Sequence, residues 1–199
     1  MKINILPSLI ALWVITTGLT CQKNSGVKNL YNISETLTFD NVQYKLVASY
    51  HPNDIYYKQE YIPAGESAGR FNKMILIDFA ITDASAREML DIKAKEMQDR
   101  KKSDPVVNYE VMENNAQQEY ILDFILSDGK GEKVNVVERN VYHYKNYLDR
   151  SGHKGVLLFG ISQRGYDNGI PSFFTNLKKT RMDDINKVGL YPIPDIDIK

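Results

Sequence analysis

Apolar and polar residues alternate along most of the chain from residue 37 onward, a pattern typical of half-buried β-strands. Asp40 and Asn41 interrupt the first run and predict a hairpin turn, and residues 128–131 predict another. The predicted strands cover residues 37–50, 55–62, 74–81, 106–112, 119–126, 133–148 and 156–162. Two of these runs, 74–81 and 156–162, are mostly apolar instead, and the first predicts a central strand covered on both faces.

Elsewhere the apolar residues recur at helical spacing. Ser85 and Glu88 have the spacing of a capping box, and the residues after them predict an amphipathic helix that ends at Arg100, before Pro105. A second helix is predicted to begin near Pro171, because proline is favoured in the first turn. Its side chains expected to dock on the sheet are Phe173, Phe174 and Leu177.

The order of these elements predicts the fold class. Strands, a helix, further antiparallel strands and a last helix are typical of α+β proteins. We therefore expect a curved, mainly antiparallel sheet with two helices packed on one of its faces. The chain has 199 residues, which fits a single domain over residues 30–199. Residues 189–199 contain two prolines and alternating isoleucine and aspartate, and predict an extended or loosely attached tail.

The N-terminal segment has the pattern of an export signal. An apolar stretch over residues 5–19 is too short to span a bilayer, and the only cysteine of the chain, Cys21, follows it. The arrangement resembles a bacterial lipoprotein signal, which implies a signal peptide over residues 1–20, a palmitate-type lipid on Cys21 and a tether over residues 21–29. Gln22 stands where aspartate would direct retention in the inner membrane, which implies the outer membrane. The residues just before the cysteine depart from the usual signal, so a secreted or soluble periplasmic protein remains the alternative.

A second resemblance concerns the exported domain. Residues 59–66, followed by the apolar run 74–77, resemble a motif of PsbP-like, small uncharacterised exported proteins of bacteria. The resemblance implies a curved antiparallel sheet packed between helices, and an exported protein. It implies no activity.

Charge and motifs exclude several classes of function. The 25 Lys+Arg residues balance 25 Asp+Glu residues, so the chain lacks the basic surface that nucleic-acid binding requires. His51, His143 and His153 do not have the short spacing typical of metal sites, so neither a metal nor another cofactor is expected. The sequence also lacks nucleophile-elbow, Walker and dinucleotide-binding motifs, so it predicts no catalytic residue.

Paired carboxylates are the arrangement in this sequence that could suit an enzyme, because many glycan hydrolases use two. Glu60 and Glu66 flank a predicted turn, and Asp123 and Glu138 are expected to face each other across a hairpin. A chain with 25 acidic residues offers such pairs by chance on a solvated surface. A hydrolase that uses Glu60 or Glu66 is therefore a minor alternative.

Tyrosine is abundant, with 13 copies that crowd the predicted strands. Tyrosine is enriched at protein interfaces, because its ring brings a large contact area at a small entropic cost. Alternatively, the rings cover the sheet beneath the helices. The residues predicted to contact a partner are Tyr57, Glu60, Tyr61, Glu66, Tyr142, Tyr144, Arg164 and Tyr166.

The sequence thus predicts a membrane-tethered, non-catalytic binding or assembly module of the bacterial cell envelope, with an envelope protein as its partner. The alternative is a carrier of a small apolar ligand, held in a gap between the sheet and the helices. The side chains expected to line such a gap are Phe79, Phe124, Phe159 and Phe174.

Overall fold

The computed structural model describes residues 26–130 and 133–198. The predicted signal peptide, Cys21 and the first part of the predicted tether lie outside the described residues. Within them the strands are β1 Thr36–Phe39, β2 Val42–Asn53, β3 Tyr56–Pro63, β4 Lys73–Ile81, β5 Asn108–Asn114, β6 Glu119–Lys130, β7 Lys133–Leu148 and β8 Lys154–Tyr166. The helices are α1 Ala86–Arg100 and α2 Ile170–Gly189, the latter preceded by a short 3-10 turn, Asp167–Gly169.

The described strands form one antiparallel sheet in the order β1-β2-β3-β4-β8-β7-β6-β5. The sheet consists of two meanders, β1–β4 and β5–β8, which are joined by the pairing of β4 with β8. The predicted α+β class with a curved antiparallel sheet is confirmed. Asp40 and Asn41 have φ angles of 51° and 61°, as a two-residue hairpin turn requires, so the predicted first turn is confirmed as well.

The two helices pack on opposite faces of the sheet, so the prediction that they share one face is wrong. Phe159 and Ile161 of β8 belong to the same core cluster as Ile185 of α2. Leu158, between them, belongs to the cluster that contains Leu90 of α1. Successive side chains of a strand point to opposite faces. The near-continuous apolar run of β8 is typical of a strand covered on both sides, and it favoured this arrangement already in the sequence.

Helix α1 begins as the sequence predicted. The Ser85 side chain accepts a hydrogen bond from the Glu88 amide, and the Glu88 carboxylate accepts one from the Ser85 amide, which completes the capping box. The residues that α1 buries are Ala86, Leu90 and Met97.

We expect Ser85→Ala to lower the free energy of unfolding by about 1 kcal/mol, because it leaves an amide of the first turn without its acceptor. Ser103→Ala is the matched control, since Ser103 follows the other end of α1, is exposed, and donates only to the Arg100 carbonyl. Urea denaturation of both variants measures the difference. Equal stability of the two variants would contradict the role given to the cap.

The C-terminal tail is extended but firmly held, so loose attachment is the wrong alternative. Ile196 and Ile198 are 0% and 1% exposed and complete the core on the α2 side of the sheet. The Asp197 amide donates a hydrogen bond to the Tyr31 carbonyl at 2.9 Å. The alternation of isoleucine and aspartate therefore has the meaning it has in strands, with one side buried and one side solvated.

Helix α2 docks on the sheet through its C-terminal half. Its buried residues are Asp184, Ile185 and Val188. The predicted docking residues Phe173, Phe174 and Leu177 are only half-buried. Phe173 lies closest to the sheet, since a Cβ added to Gly165 of β8 would be 2.6 Å from the Phe173 Cβ. Neither described helix combines the length and the apolar composition needed to cross a membrane.

Candidate binding site

Two of the predicted contact residues, Tyr57 and Tyr61, belong to the core. Tyr61 is 0% exposed, and its hydroxyl accepts a hydrogen bond from the side-chain Nε2 of Gln59 at 2.6 Å. Tyr57 is 9% exposed and stacks on the His51 ring, with 4.1 Å between the ring centroids. For these two residues the alternative holds, because the rings cover the sheet on its α2 face.

The α1 face presents polar and aromatic side chains that the helix does not bury. Helix α1 packs mainly on β6 and β7, on one side of the sheet centre. On the other side, strand register places Tyr50 beside Lys58, and Lys58 beside Asp78 of the central strand β4. We call the half-buried residues of this area the Asp78 cluster, which consists of Tyr50, Tyr56, Lys58, Glu60, Asp78 and Tyr142.

The carboxylate of Asp78 is incompletely hydrogen-bonded. The Tyr56 hydroxyl donates to its Oδ2 at 2.6 Å. Its Oδ1 is buried and has no hydrogen-bond partner among the described residues. The neighbouring carboxylate, Glu60, forms an ion pair with Lys58 at 2.9 Å. Asp78 therefore has one carboxylate oxygen that can accept a further hydrogen bond.

Burial and mutual charge determine the ionisation of the cluster. Burial raises the pKa of Asp78 above its ordinary value, against the opposing effects of Lys58 and of the Tyr56 hydrogen bond. Burial alone would lower the pKa of Lys58, but the nearby Asp78 and Glu60 carboxylates outweigh it and raise that pKa. Burial, followed by the Asp78 charge, raises the pKa of Tyr56, so this hydroxyl stays protonated as a donor.

Tyr142 is the member of the Asp78 cluster on β7, and its neighbours fix it in place. It lies across Gly160 of β8, where an added Cβ would be 2.6 Å from the Tyr142 ring. Its ring also packs edge-on against Phe124, at 5.0 Å between centroids. The adjacent predicted residue Tyr144 is 4% exposed and belongs to the core with α1. Any residue with a Cβ at position 160 would clash with the Tyr142 ring, so this packing requires glycine there.

The remaining predicted residues hold the β3–β4 loop. The Glu66 carboxylate accepts hydrogen bonds from the Asn72 amide and side chain at 2.7 and 2.9 Å. The Tyr166 hydroxyl donates to the Phe71 carbonyl at 2.9 Å. The Arg164 guanidinium lies 4.2 Å from the Phe71 ring centroid. Glu66, Arg164 and Tyr166 therefore stand together at the end of the sheet, apart from the Asp78 cluster.

Asp123 and Glu138 do not face each other, so that prediction is wrong. Their side chains point to opposite faces, because Asp123 bonds Arg139 on the α2 face, whereas Glu138 bonds Arg164 on the α1 face. The strand register pairs Asp123 with Val141 and Glu138 with Leu126, so the two acidic residues are not opposite each other.

Asp123 instead belongs to a buried ion-pair network that joins α2 to the sheet. Arg139, which is 1% exposed, donates to Asp123 at 2.8 Å and to Asp184 of α2 at 2.9 Å. Lys73 donates to the second carboxylate oxygen of Asp184 at 3.1 Å. Arg181 donates to the second carboxylate oxygen of Asp123 at 2.6 Å. Burial alone would raise the pKa of Asp184, but Lys73 and Arg139 hold that pKa below its ordinary value. Sequence reasoning missed this network, although Arg139 occupies an inward position between Val137 and Val141, which is its signal.

His143 is a buried histidine on the same face. It is 4% exposed, its Nε2 lies 3.1 Å from the Glu119 carboxylate, and its Nδ1 has no hydrogen-bond partner among the described residues. Burial lowers the pKa of His143 below the ordinary 6.5, against the opposing effect of Glu119. In the described part of the chain no three His, Cys, Asp or Glu residues group as metal ligands.

We expect acidification to destabilise the domain through His143. Because its folded-state pKa is depressed, its contribution to stability is complete above the ordinary value of 6.5 and is lost as the pH falls through the folded-state pKa. Urea denaturation between about pH 7.5 and 5.5 should show a shallower loss of stability for His143→Gln than for the wild type. His51→Gln, at an exposed position, is the matched control. An unchanged slope for His143→Gln would contradict this prediction.

The four phenylalanines predicted to line one gap lie on two faces. Phe79 and Phe159 belong to the core with α2, and Phe124 belongs to the core with α1. Phe174 is half-buried on α2. They are separated by the sheet, so they do not line a common cavity.

Comparison with known proteins assigns the chain to a family. A family model matches residues 31–193, so the chain belongs to that protein family. The matched range spans every described strand and both described helices. Membership assigns no activity. Searches among curated proteins and among solved structures found no match.

Proposed function

We propose that the protein is a non-catalytic binding module of the bacterial cell envelope, and that the Asp78 cluster is its binding surface. One observation carries the proposal: the buried Oδ1 of Asp78 lacks a donor, on the central strand of the sheet. A desolvated carboxylate at this position costs folding free energy that an apolar residue would not. Groups with strongly perturbed pKa values cluster at functional sites, which is the reason for assigning this carboxylate a function.

The chemistry of the cluster favours a cationic group on the partner. Asp78 needs a donor, and within the cluster two carboxylates face one ammonium, that of Lys58. Lys93 of α1 also acts on Asp78, but its ammonium is ion-paired within α1. The rings of Tyr50, Tyr56 and Tyr142 surround them, and aromatic faces attract cations. A lysine or arginine side chain of an envelope protein meets both requirements, because its hydrogen bond to a carboxylate is charge-assisted.

A lipid tether on Cys21 and a PsbP-like fold belong to the same proposal. A lipid on Cys21 would hold the domain beside a membrane, the outer membrane by preference, through residues 21–29. Leu30 and Tyr31, buried in the core, are consistent with a domain that begins there. A PsbP-like fold is supported by the helices on both sides of the antiparallel sheet, since the resemblance implies a sheet packed between helices.

The tether is tested by mass spectrometry of the full-length protein extracted from membranes of the bacterium that makes it. We expect the mass of residues 21–199 plus acyl chains. An unlipidated species in the soluble fraction would contradict the tether and would make the protein a secreted or periplasmic domain.

The binding surface is tested by site-specific photo-crosslinking in the producing cells. A photoreactive residue at Tyr50 should give a discrete protein adduct, because this position belongs to the Asp78 cluster. The same residue at Lys179, exposed on α2, is the matched control and should not give that adduct. Identical adducts from both positions, or none from Tyr50, would contradict the proposed surface.

A further inference from the structure

An open groove along the first half of α2 has the composition of an anion-binding site. Its volume is about 630 Å³, which is in the range of small-molecule sites. Arg70, Lys73 and Arg164 line it, and none of its described lining residues is acidic. Neutral polar side chains from the sheet end and from α2 complete the lining: Asn72, Gln163, Ser172, Asn176 and Thr180. We call it the cationic groove.

Arg70 is the cation in this groove with an uncompensated charge. Lys73 is paired with Asp184 at 3.1 Å, and Arg164 is paired with Glu138. Arg70 is exposed and contacts the Tyr166 ring, and it forms no ion pair within residues 26–130 and 133–198. An ammonium has three donors and a guanidinium five, so the two paired cations also keep donors for a ligand.

The loop that carries Arg70 is held in position before any ligand binds. The Tyr166 ring lies 4.5 Å from the guanidinium carbon of Arg70, and the Tyr166 hydroxyl fixes Phe71, the next residue. Glu66 fixes Asn72 through two hydrogen bonds. A ligand would therefore lose little free energy in ordering this side of the groove.

Helix α2 adds to the positive potential at the same place. It begins at the groove, since Gly169 is its N-cap and also lines the groove. No side chain caps this end, and its first turn contains no acidic residue. The first amides of a helix carry partial positive charge, which favours an anion nearby.

We propose that the cationic groove binds a phosphate monoester group, carried by a soluble metabolite or by a lipid headgroup. A phosphate monoester carries nearly two negative charges and has three acceptor oxygens. It can therefore pair with Arg70 and also accept hydrogen bonds from the remaining donors of Lys73 and Arg164, which a single carboxylate does less well. The groove is separate from the Asp78 cluster, so failure of this proposal leaves the proposed function untouched.

Isothermal titration of the purified full chain tests the proposal with two soluble probes, glycerol 3-phosphate and dihexanoyl phosphatidic acid. We expect saturable binding of at least one probe. Arg70→Gln should weaken it about ten-fold or more, because a charge-assisted hydrogen bond is lost. Arg150→Gln is the matched control, an exposed arginine whose nearest carboxylate, Asp195, is 3.9 Å away, and it should bind as the wild type does.

The two probes distinguish the sources of the phosphate. Binding of both with similar affinity indicates a soluble phosphate ester, and binding of the phosphatidic acid alone indicates a lipid headgroup. Three results would overturn the proposal: no saturable binding of either probe, wild-type affinity in Arg70→Gln, or an equal loss in Arg150→Gln.

Discussion

Arg139→Ala is expected to lower the free energy of unfolding by about 3–5 kcal/mol, a large part of the stability of a typical domain. The change removes the guanidinium that bridges Asp123 on the sheet and Asp184 on α2. Both carboxylates are at most 5% exposed, so each loses a buried partner that water cannot replace. Urea denaturation monitored by circular dichroism measures the loss.

Arg87→Ala is the matched control for this prediction. Arg87 also bonds two carboxylates, Asp91 and Glu113, but all three side chains are exposed, so we expect a loss far smaller than that of Arg139→Ala. A second check is the double variant Arg139→Ala with Asp184→Asn. Its loss should be smaller than the sum of the single losses, because the two residues interact directly. Equal losses for Arg139→Ala and Arg87→Ala would contradict the structural role of the network.

Asp78→Asn should raise the free energy of unfolding by about 1–3 kcal/mol at neutral pH, because it removes a desolvated charge and keeps the side-chain shape. The sign follows from the pKa of Asp78, which burial raises above the ordinary 3.8 in the folded state. A group with a raised pKa stabilises the fold fully below its ordinary value, and that contribution is lost as the pH rises through the folded-state pKa. The advantage of Asp78→Asn should therefore grow from about pH 4 upward.

Urea denaturation of the wild type and of Asp78→Asn across this pH range measures the difference, which includes the effect of the lost charge on Lys58 and Tyr56. Asp91→Asn, at an exposed carboxylate of α1, is the matched control and should show no comparable gain. A variant Asp78→Asn that is less stable than the wild type at neutral pH would show that the carboxylate supports folding, and would remove the reason for assigning it a binding role.

Local patterns predicted the elements well because they depend on short-range physics. Alternation or a continuous apolar run located each described strand, and the spacing of Ser85 and Glu88 located the start of α1. The relative placement of the helices was predicted wrongly, because alternation shows that a strand has two faces and does not show which helix covers each one. The attachment of the C-terminal tail was underestimated for a related reason. The burial of Ile196 and Ile198 depends on contacts with strands far away in sequence.

The candidate site was only partly predictable. Glu60 and Tyr142 were named from the sequence, but Asp78 was not, because β4 was taken as an apolar strand covered on both faces. The aspartate within the run from Met74 to Ile81 was the available signal, since a charged residue in the middle of a buried strand opposes folding. Its convergence with Glu60 and Tyr142 depends on the register of four strands, which no local pattern specifies.

Binding by the Asp78 cluster is tested with the partner identified by crosslinking at Tyr50, whose affinity is measured for three proteins: the wild type, Asp78→Asn and Asp91→Asn. If the Asp78 carboxylate receives a cationic group of the partner, Asp78→Asn should weaken binding by about ten-fold or more, while the domain becomes no less stable. Asp91→Asn should bind as the wild type does. Wild-type affinity in Asp78→Asn, measured on a folded protein, would contradict the assignment of the Asp78 cluster as the binding surface.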